Sequence, residues 1–251
     1  VMMKGAYTTI PIGLIQYAIV KRKINHLKVY TFFKCISSGH LSVKANSYKI
    51  WAKEIGISEK TLKTCLDWML KNRWLSFNSK TQSLRVVSYK QLKRKYKTRF
   101  HTALKFDRPD FKDFRGLCAA ALIGFYRNSK KFFDKKNKVS GVINGIPRKN
   151  TYALPKNYYD FPVRYFAMCL GVSVTTSENL KKEALKFGFI TVKKNHFFLE
   201  DSKGEKISPE FMKYFDVNKK YFIKSAKGIL VKGSDLIKID VHLKRKWWGI
   251  D

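Results

Sequence analysis

Residues 50–89 read IWAKEIGISEKTLKTCLDWMLKNRWLSFNSKTQSLRVVSY, and the order of apolar, turn and capping residues in them decides the fold. Trp51 to Ile55 reads as a helix, with Ile50 and Ile55 toward its inner side. Gly56 follows, free to take the left-handed backbone that ends a helix in a sharp turn. Ile57 plugs the corner, and Ser58 suits the N-cap of a second helix because its hydroxyl accepts from free backbone amides. In that helix Leu62, Leu66, Met69 and Leu70 recur at helical spacing as one apolar face. Glu59, Lys60, Thr61, Lys63 and Thr64 lie around its N-terminal half, mostly away from that face. Trp74–Phe77 and Leu84–Val87 read as strands, with Asn78 to Ser83 as the polar loop between them.

A helix, a tight turn, a second helix and a two-stranded ribbon together resemble a winged helix-turn-helix, which places one helix in the DNA major groove. The flanking sequence completes such a unit. KVYTFFKCIS (Lys28 to Ser37) is apolar enough for its first helix, Ser38-Gly39-His40 ends that helix, and Leu41 to Ala45 supplies the strand beside the wing.

A second copy lies downstream. Leu170-Gly171-Val172-Ser173 reproduces the apolar-Gly-apolar-Ser order of Ile55-Gly56-Ile57-Ser58, displaced by 115 residues (171 − 56). Without a gap, Thr61 meets Thr176, Cys65 meets Leu180, Met69 meets Ala184, Trp74 meets Phe189 and Leu75 meets Ile190. Turn, apolar face and strand start match together, as an internal repeat requires. The second wing is expected at Lys193 to His196, between strands Ile190–Val192 and Phe197–Leu199. The chain therefore reads as α+β and helix-rich, with two tandem winged helix-turn-helix domains. Its expected parts are an N-terminal arm (1–23), a first domain (24–89), a basic linker (90–110), a second domain (111–200) and a C-terminal extension (201–251).

Within those parts, Tyr96, Phe100 and Leu104 recur every four residues and predict a helix in the linker. CAAALIGFY, inside Phe111 to Phe133, predicts a buried helix opening the second domain, and Thr151 to Leu154 a short strand ended by Pro155. In the extension, Pro209 to Phe215 reads as a short helix, and Tyr221–Ile223, Ile229–Val231 and Leu236–Val241 as short strands. Trp247 and Trp248 close the chain beside a basic cluster, suited either to base stacking or to burial.

Charge points to the partner. Among 251 residues, 52 Lys and Arg face 18 Asp and Glu, a formal charge of +34. Such an excess repels itself in the compact state and calls for a polyanion to offset it. Double-stranded DNA is the expected partner. Cys35, Cys65, Cys118 and Cys169 stand far apart, with no CxxC for zinc or redox work. Free thiols and no secretory signal lead us to expect a cytoplasmic protein. The apolar run Ile10 to Val20 is too short for a membrane span. No catalytic residue, cofactor or metal site is expected: the five His are scattered, and no Walker A loop, HExxH or GxSxG occurs.

Recognition helices use short hydroxyl and amide side chains near their N-termini, and Lys or Arg, for phosphates and base edges. The candidates in the first helix are Ser58, Lys60, Thr61, Lys63 and Thr64. In the second they are Thr175, Thr176, Ser177, Asn179, Lys181 and Lys182. Lys80, Arg85, Lys193 and Lys194 are the wing candidates for backbone phosphates.

Two such domains in a strongly basic chain of this length resemble the replication initiators of theta-replicating plasmids and some phages. The resemblance implies binding to repeated origin sites, with one domain also able to mediate homodimerisation. A transcription regulator bound to an operator stays open as an alternative, as does a DNA-processing enzyme such as a recombinase or nuclease.

Overall fold

The computed structural model describes residues 8–37, 39–97, 101–107, 111–136, 142–143, 146–147, 157–201, 203–214 and 222–245. Strand β1 (Thr8–Pro11) leads into helix α1 (Ile12–Val20). Then come α2 (Ile24–Ile36), β2 (His40–Ser42), α3 (Ser47–Ile55), α4 (Glu59–Lys71), β3 (Leu75–Asn78) and β4 (Ser83–Val86). After α5 (Tyr89–Lys95), β5 (Thr102–Phe106) and the long α6 (Phe114–Lys136), a small hairpin pairs β6 (Val142–Ile143) with β7 (Ile146–Pro147). The chain continues through β8 (Tyr159–Asp160), α7 (Val163–Leu170), α8 (Val174–Lys186), β9 (Ile190–Lys193) and β10 (His196–Phe198). A 3-10 turn (Pro209–Tyr214) precedes β11 (Phe222–Ser225), β12 (Gly228–Lys232), β13 (Leu236–Ile239) and β14 (Leu243–Arg245). The architecture is α+β, with antiparallel sheets of two or three strands.

Two sheets share one topology. In the first unit β4 lies between β2 and β3; in the second, β13 lies between β8 and β9. The registers agree as well. Leu75 faces Val86 and Phe77 faces Leu84, while Ile190 faces Ile239 and Val192 faces Ile237. From β3 to β9 the displacement is 115 residues (190 − 75), and from β4 to β13 it is 153 (239 − 86). The 38 additional residues (153 − 115) lie between β9 and β13 and build a sheet of their own, β10-β12-β11.

This corrects the second hairpin. Ile190–Val192 does not pair with Phe197–Leu199; β9 pairs with β13, and β10 with β12. The reason is apolar surface. Leu236 and Ile237 are buried in the β8-β13-β9 sheet, as Leu84 and Val86 are in the first. The boundary expected at residue 200 thus falls inside the second unit.

The linker is corrected too. Its helix stops at Lys95, Phe100 lies outside the described residues, and Leu104 belongs to a strand. Leu104 faces Ile10 on one side and Leu243 on the other, so β5 is the middle strand of β1-β5-β14. That sheet gathers the N-terminal, central and C-terminal segments beside α6. Residues 8–20 pack into the core as a strand and a helix: Ile10, Ile12, Leu14, Ile15 and Ala18 are buried. The strand expected at Thr151 to Leu154, and Trp247 and Trp248, lie outside the described residues.

One buried apolar cluster runs through both units, from Ile10 to Ile237. In the first unit it centres on Trp74, which is fully buried, meets Tyr30 edge-on at 5.2 Å and donates its indole N–H to the Tyr96 hydroxyl at 2.7 Å. In the second, α6 packs on α8. Gly116 permits the approach, because a Cβ there would come within 2.8 Å of the Phe187 ring and 3.2 Å of the Glu183 carbonyl.

Because Ile237 is fully buried in the strand between β8 and β9, Ile237→Ala should cost about 2–5 kcal/mol of stability. Urea denaturation of the full chain measures it; a loss below about 0.5 kcal/mol, the range of ordinary surface substitutions, would contradict the role given to β13.

Candidate nucleic-acid interface

The two helix pairs are built the same way, bond for bond. Gly56 ends α3 at φ 70°, ψ 49°, and Gly171 ends α7 at φ 67°, ψ 40°, both left-handed. The Ile57 amide then donates to the Ala52 carbonyl at 3.0 Å, and the Val172 amide to the Ala167 carbonyl at 3.1 Å. Ser58 Oγ accepts from the Thr61 amide at 3.1 Å, and Ser173 Oγ from the Thr176 amide at 3.1 Å. Each cap hydroxyl also meets the threonine hydroxyl, at 2.8 Å and 2.9 Å. At the far ends, the Trp74 and Phe189 amides return to the Met69 and Ala184 carbonyls. Local sequence dictates this: glycine tolerates positive φ, and serine satisfies the free amides of a helix start.

The predicted site residues divide by their place on this frame. Ser58 and Thr61 of α4 spend their hydroxyls on the cap, and so does Thr176 of α8. The Thr64 hydroxyl donates back to the Lys60 carbonyl at 3.0 Å, which leaves its oxygen as an acceptor. Lys60, Lys63 and Thr64 are exposed on α4, and Thr175, Asn179 and Lys182 on α8. Lys80 is exposed on the turn joining β3 to β4, and Arg85 projects outward from β4. Lys193 is exposed on β9, with its ammonium 4.7 Å from the centre of the Tyr158 ring.

Two residues are corrected. Ser177 is fully buried, because it occupies the core position that Leu62 holds in α4 (177 − 115). Lys181 stands in the column of core residue Leu66, with only 13% of its side chain exposed, and its ammonium is paired with Asp235. Neither side chain is presented to a ligand. The ungapped alignment of the two turns already held this signal, since it sets both against core leucines.

Asp235 is the residue that sequence reading missed. It lies just before β13, 54 residues from Lys181 and 41 from Lys194, a separation that leaves no local pattern. Lys194 reaches the same carboxylate at 3.1 Å while staying 75% exposed, so the two lysines share a single negative charge. Burial pushes the Asp235 carboxyl up, but hydrogen bonds and charge from Lys181 and Lys194 overcome this and hold it below the usual range. The pairing clasps the 194–235 insertion onto α8.

The outward faces therefore differ in charge. Where α4 carries Glu59, Lys60, Lys63 and Thr64, α8 carries Val174, Thr175, Glu178 and Asn179. Glu178 replaces Lys63 at the equivalent position and Lys182 replaces Asp67, so the positive charge of α4 lies nearer the start of its helix than that of α8. Among the described residues, no helix is long and apolar enough to cross a membrane.

Comparison with protein-family models, with curated proteins and with solved structures gives no match.

A carboxyl held below its ordinary pKa stabilises the fold above that ordinary value, near 4, and the gain fades as pH falls through the lowered one. Asp235→Asn should thus lower the urea midpoint at pH 7, and its difference from the parent should shrink as pH drops below about 4. A gap of equal size at pH 7 and pH 3 would show that the pairing is not its source.

Proposed function

We propose that this chain binds double-stranded DNA through two tandem winged helix-turn-helix domains, with α4 as the principal base-reading helix. The observation that carries the reading is the repeated helix pair, capped in the same way in both copies, in a chain of formal charge +34. A capped helix held by a glycine turn presents its N-terminal half to a major groove, and a basic surface brings it to the backbone. Lys60 and Lys63 suit guanine edges or phosphates, and Thr64 has an oxygen free to accept from a base amine. On α8, Thr175, Asn179 and Lys182 are the residues left to meet DNA, and Glu178 beside them disfavours close approach to phosphates.

Within this class we infer a replication initiator of a plasmid, phage or mobile element. Two readers of one design on a single chain suit an origin made of repeated sites, and the basic surface would hold the duplex while it opens.

Selection of bound fragments from random duplex DNA, at two salt concentrations, tests the reading. Enrichment of a repeated motif is expected. One isolated operator would turn the reading to a transcription regulator, and no enrichment at moderate salt would overturn sequence-specific binding. On the selected site, Lys63→Ala should weaken binding by about 1–3 kcal/mol, roughly 5- to 150-fold, with little change in thermal stability. Asn179→Ala should cost less than Lys63→Ala; the reverse order would make α8 the reader.

A further inference from the structure

A cleft of about 480 Å³ is lined by residues of β4, the start of β2, the end of α2 and α5. Its walls carry Lys34, Arg85, Lys90 and Arg94 together with the imidazole of His40, and no carboxylate, Phe, Tyr or Trp lines it. None of these five side chains has a hydrogen-bond or ion-pair partner among the described residues. His40 and Arg85 are directly opposed across β2 and β4. Burial without any compensating acid also depresses the Lys34 ammonium.

A protein of this net charge has many cations, but elsewhere on the described surface several are matched. Lys181 and Lys194 share Asp235, Lys130 meets Asp134 and Asp160, and Lys238 meets Asp240. Here four, Lys34, Arg85, Lys90 and Arg94, converge on one concavity and none is matched. The ligand must therefore be anionic. Its one ring is the His40 imidazole, with no Phe, Tyr or Trp to stack a base on, and only Gly39 and Val86 give it apolar lining, so it suits a nucleoside poorly. Three of the four cations, Arg85, Lys90 and Arg94, are exposed to water, so a single small anion would gain little from each, whereas phosphates repeated along a polymer sum their contacts.

The geometry points to this cleft as a phosphate-binding surface, separate from α4 and the turn between β3 and β4, that seats the backbone phosphates of one strand of the bound duplex. The assignment rests on the duplex-binding reading above. It contributes affinity without sequence preference, because no base edge is reached.

Lys90 and Arg94 are exposed, so Lys90→Gln/Arg94→Gln should leave the fold intact. The full chain carrying both changes is compared with the parent on the selected duplex as log K against log salt. Each lost phosphate contact removes about 0.9 from the slope, so a fall of about 2 is expected, with the enriched motif unchanged. Lys203→Gln/Lys227→Gln, which removes equal charge at exposed sites elsewhere, should change the slope by less than 0.5. An unchanged slope in the cleft variant, beside a parent that binds DNA with a steep slope, overturns the cleft assignment and leaves duplex binding standing. A parent that does not bind duplex DNA overturns both. An equal drop in the two double variants reduces the effect to net charge and overturns the assignment. Inorganic pyrophosphate forms the remaining arm. If it raises the melting temperature of the parent but not of the cleft variant, and the DNA slope is unmoved, the cleft takes a free phosphate and the backbone assignment falls.

Discussion

The pairing of β13 with β9 and β8 is the interaction on which the second half of the molecule depends. Until residues 236–239 return, β9 has no neighbour on its inner side, and the apolar residues of α6, α7 and α8 lack the sheet that closes over them. Once Ile237 settles opposite Val192, the intervening 194–235 is held at both ends and can fold as an insertion with its own sheet. Asp235, one residue before β13, fixes the insertion to α8 through Lys181. A strand, an ion pair and a loop of some forty residues are thus one device.

A second constraint ties the two units together. β5 lies between β1 and β14, so segments from the start, the middle and the end of the chain share one sheet. α6 runs beside this sheet and is also the helix on which α8 packs. The apolar cluster continues from one unit into the other, so the two units keep a fixed spacing. That rigidity matters for a protein proposed to bridge repeated sites, since a flexible tether would lose most of the gain from holding both at once.

How much was legible follows from the range of each interaction. The turn at Gly56 and its repeat at Gly171, the serine caps and the apolar faces of α4 and α8 depend on residues within about a dozen positions, and all are visible as written. The short helix at 209–214 and the three strands after it carry local patterns as well. The linker was misread because Tyr96, Phe100 and Leu104 fit a helical period by spacing alone. Leu104 is buried by Ile10 and Leu243, both far away in sequence. Among the candidate site residues, exposure at Lys60, Lys63 and Asn179 agreed with helical phase. Ser177 and Lys181 were chosen for their chemistry although their phase placed them inward.

The sequence by itself determined the two glycine turns, the caps, the helix faces and the charge excess, because each is settled by backbone sterics, local hydrogen bonding or simple composition. Tertiary structure alone decided which strand completes the second sheet, which lysines are neutralised and which converge unpaired beside β4. Those outcomes depend on contacts between residues about forty to eighty positions apart, where burial selects the partner and spacing along the chain carries no trace of it.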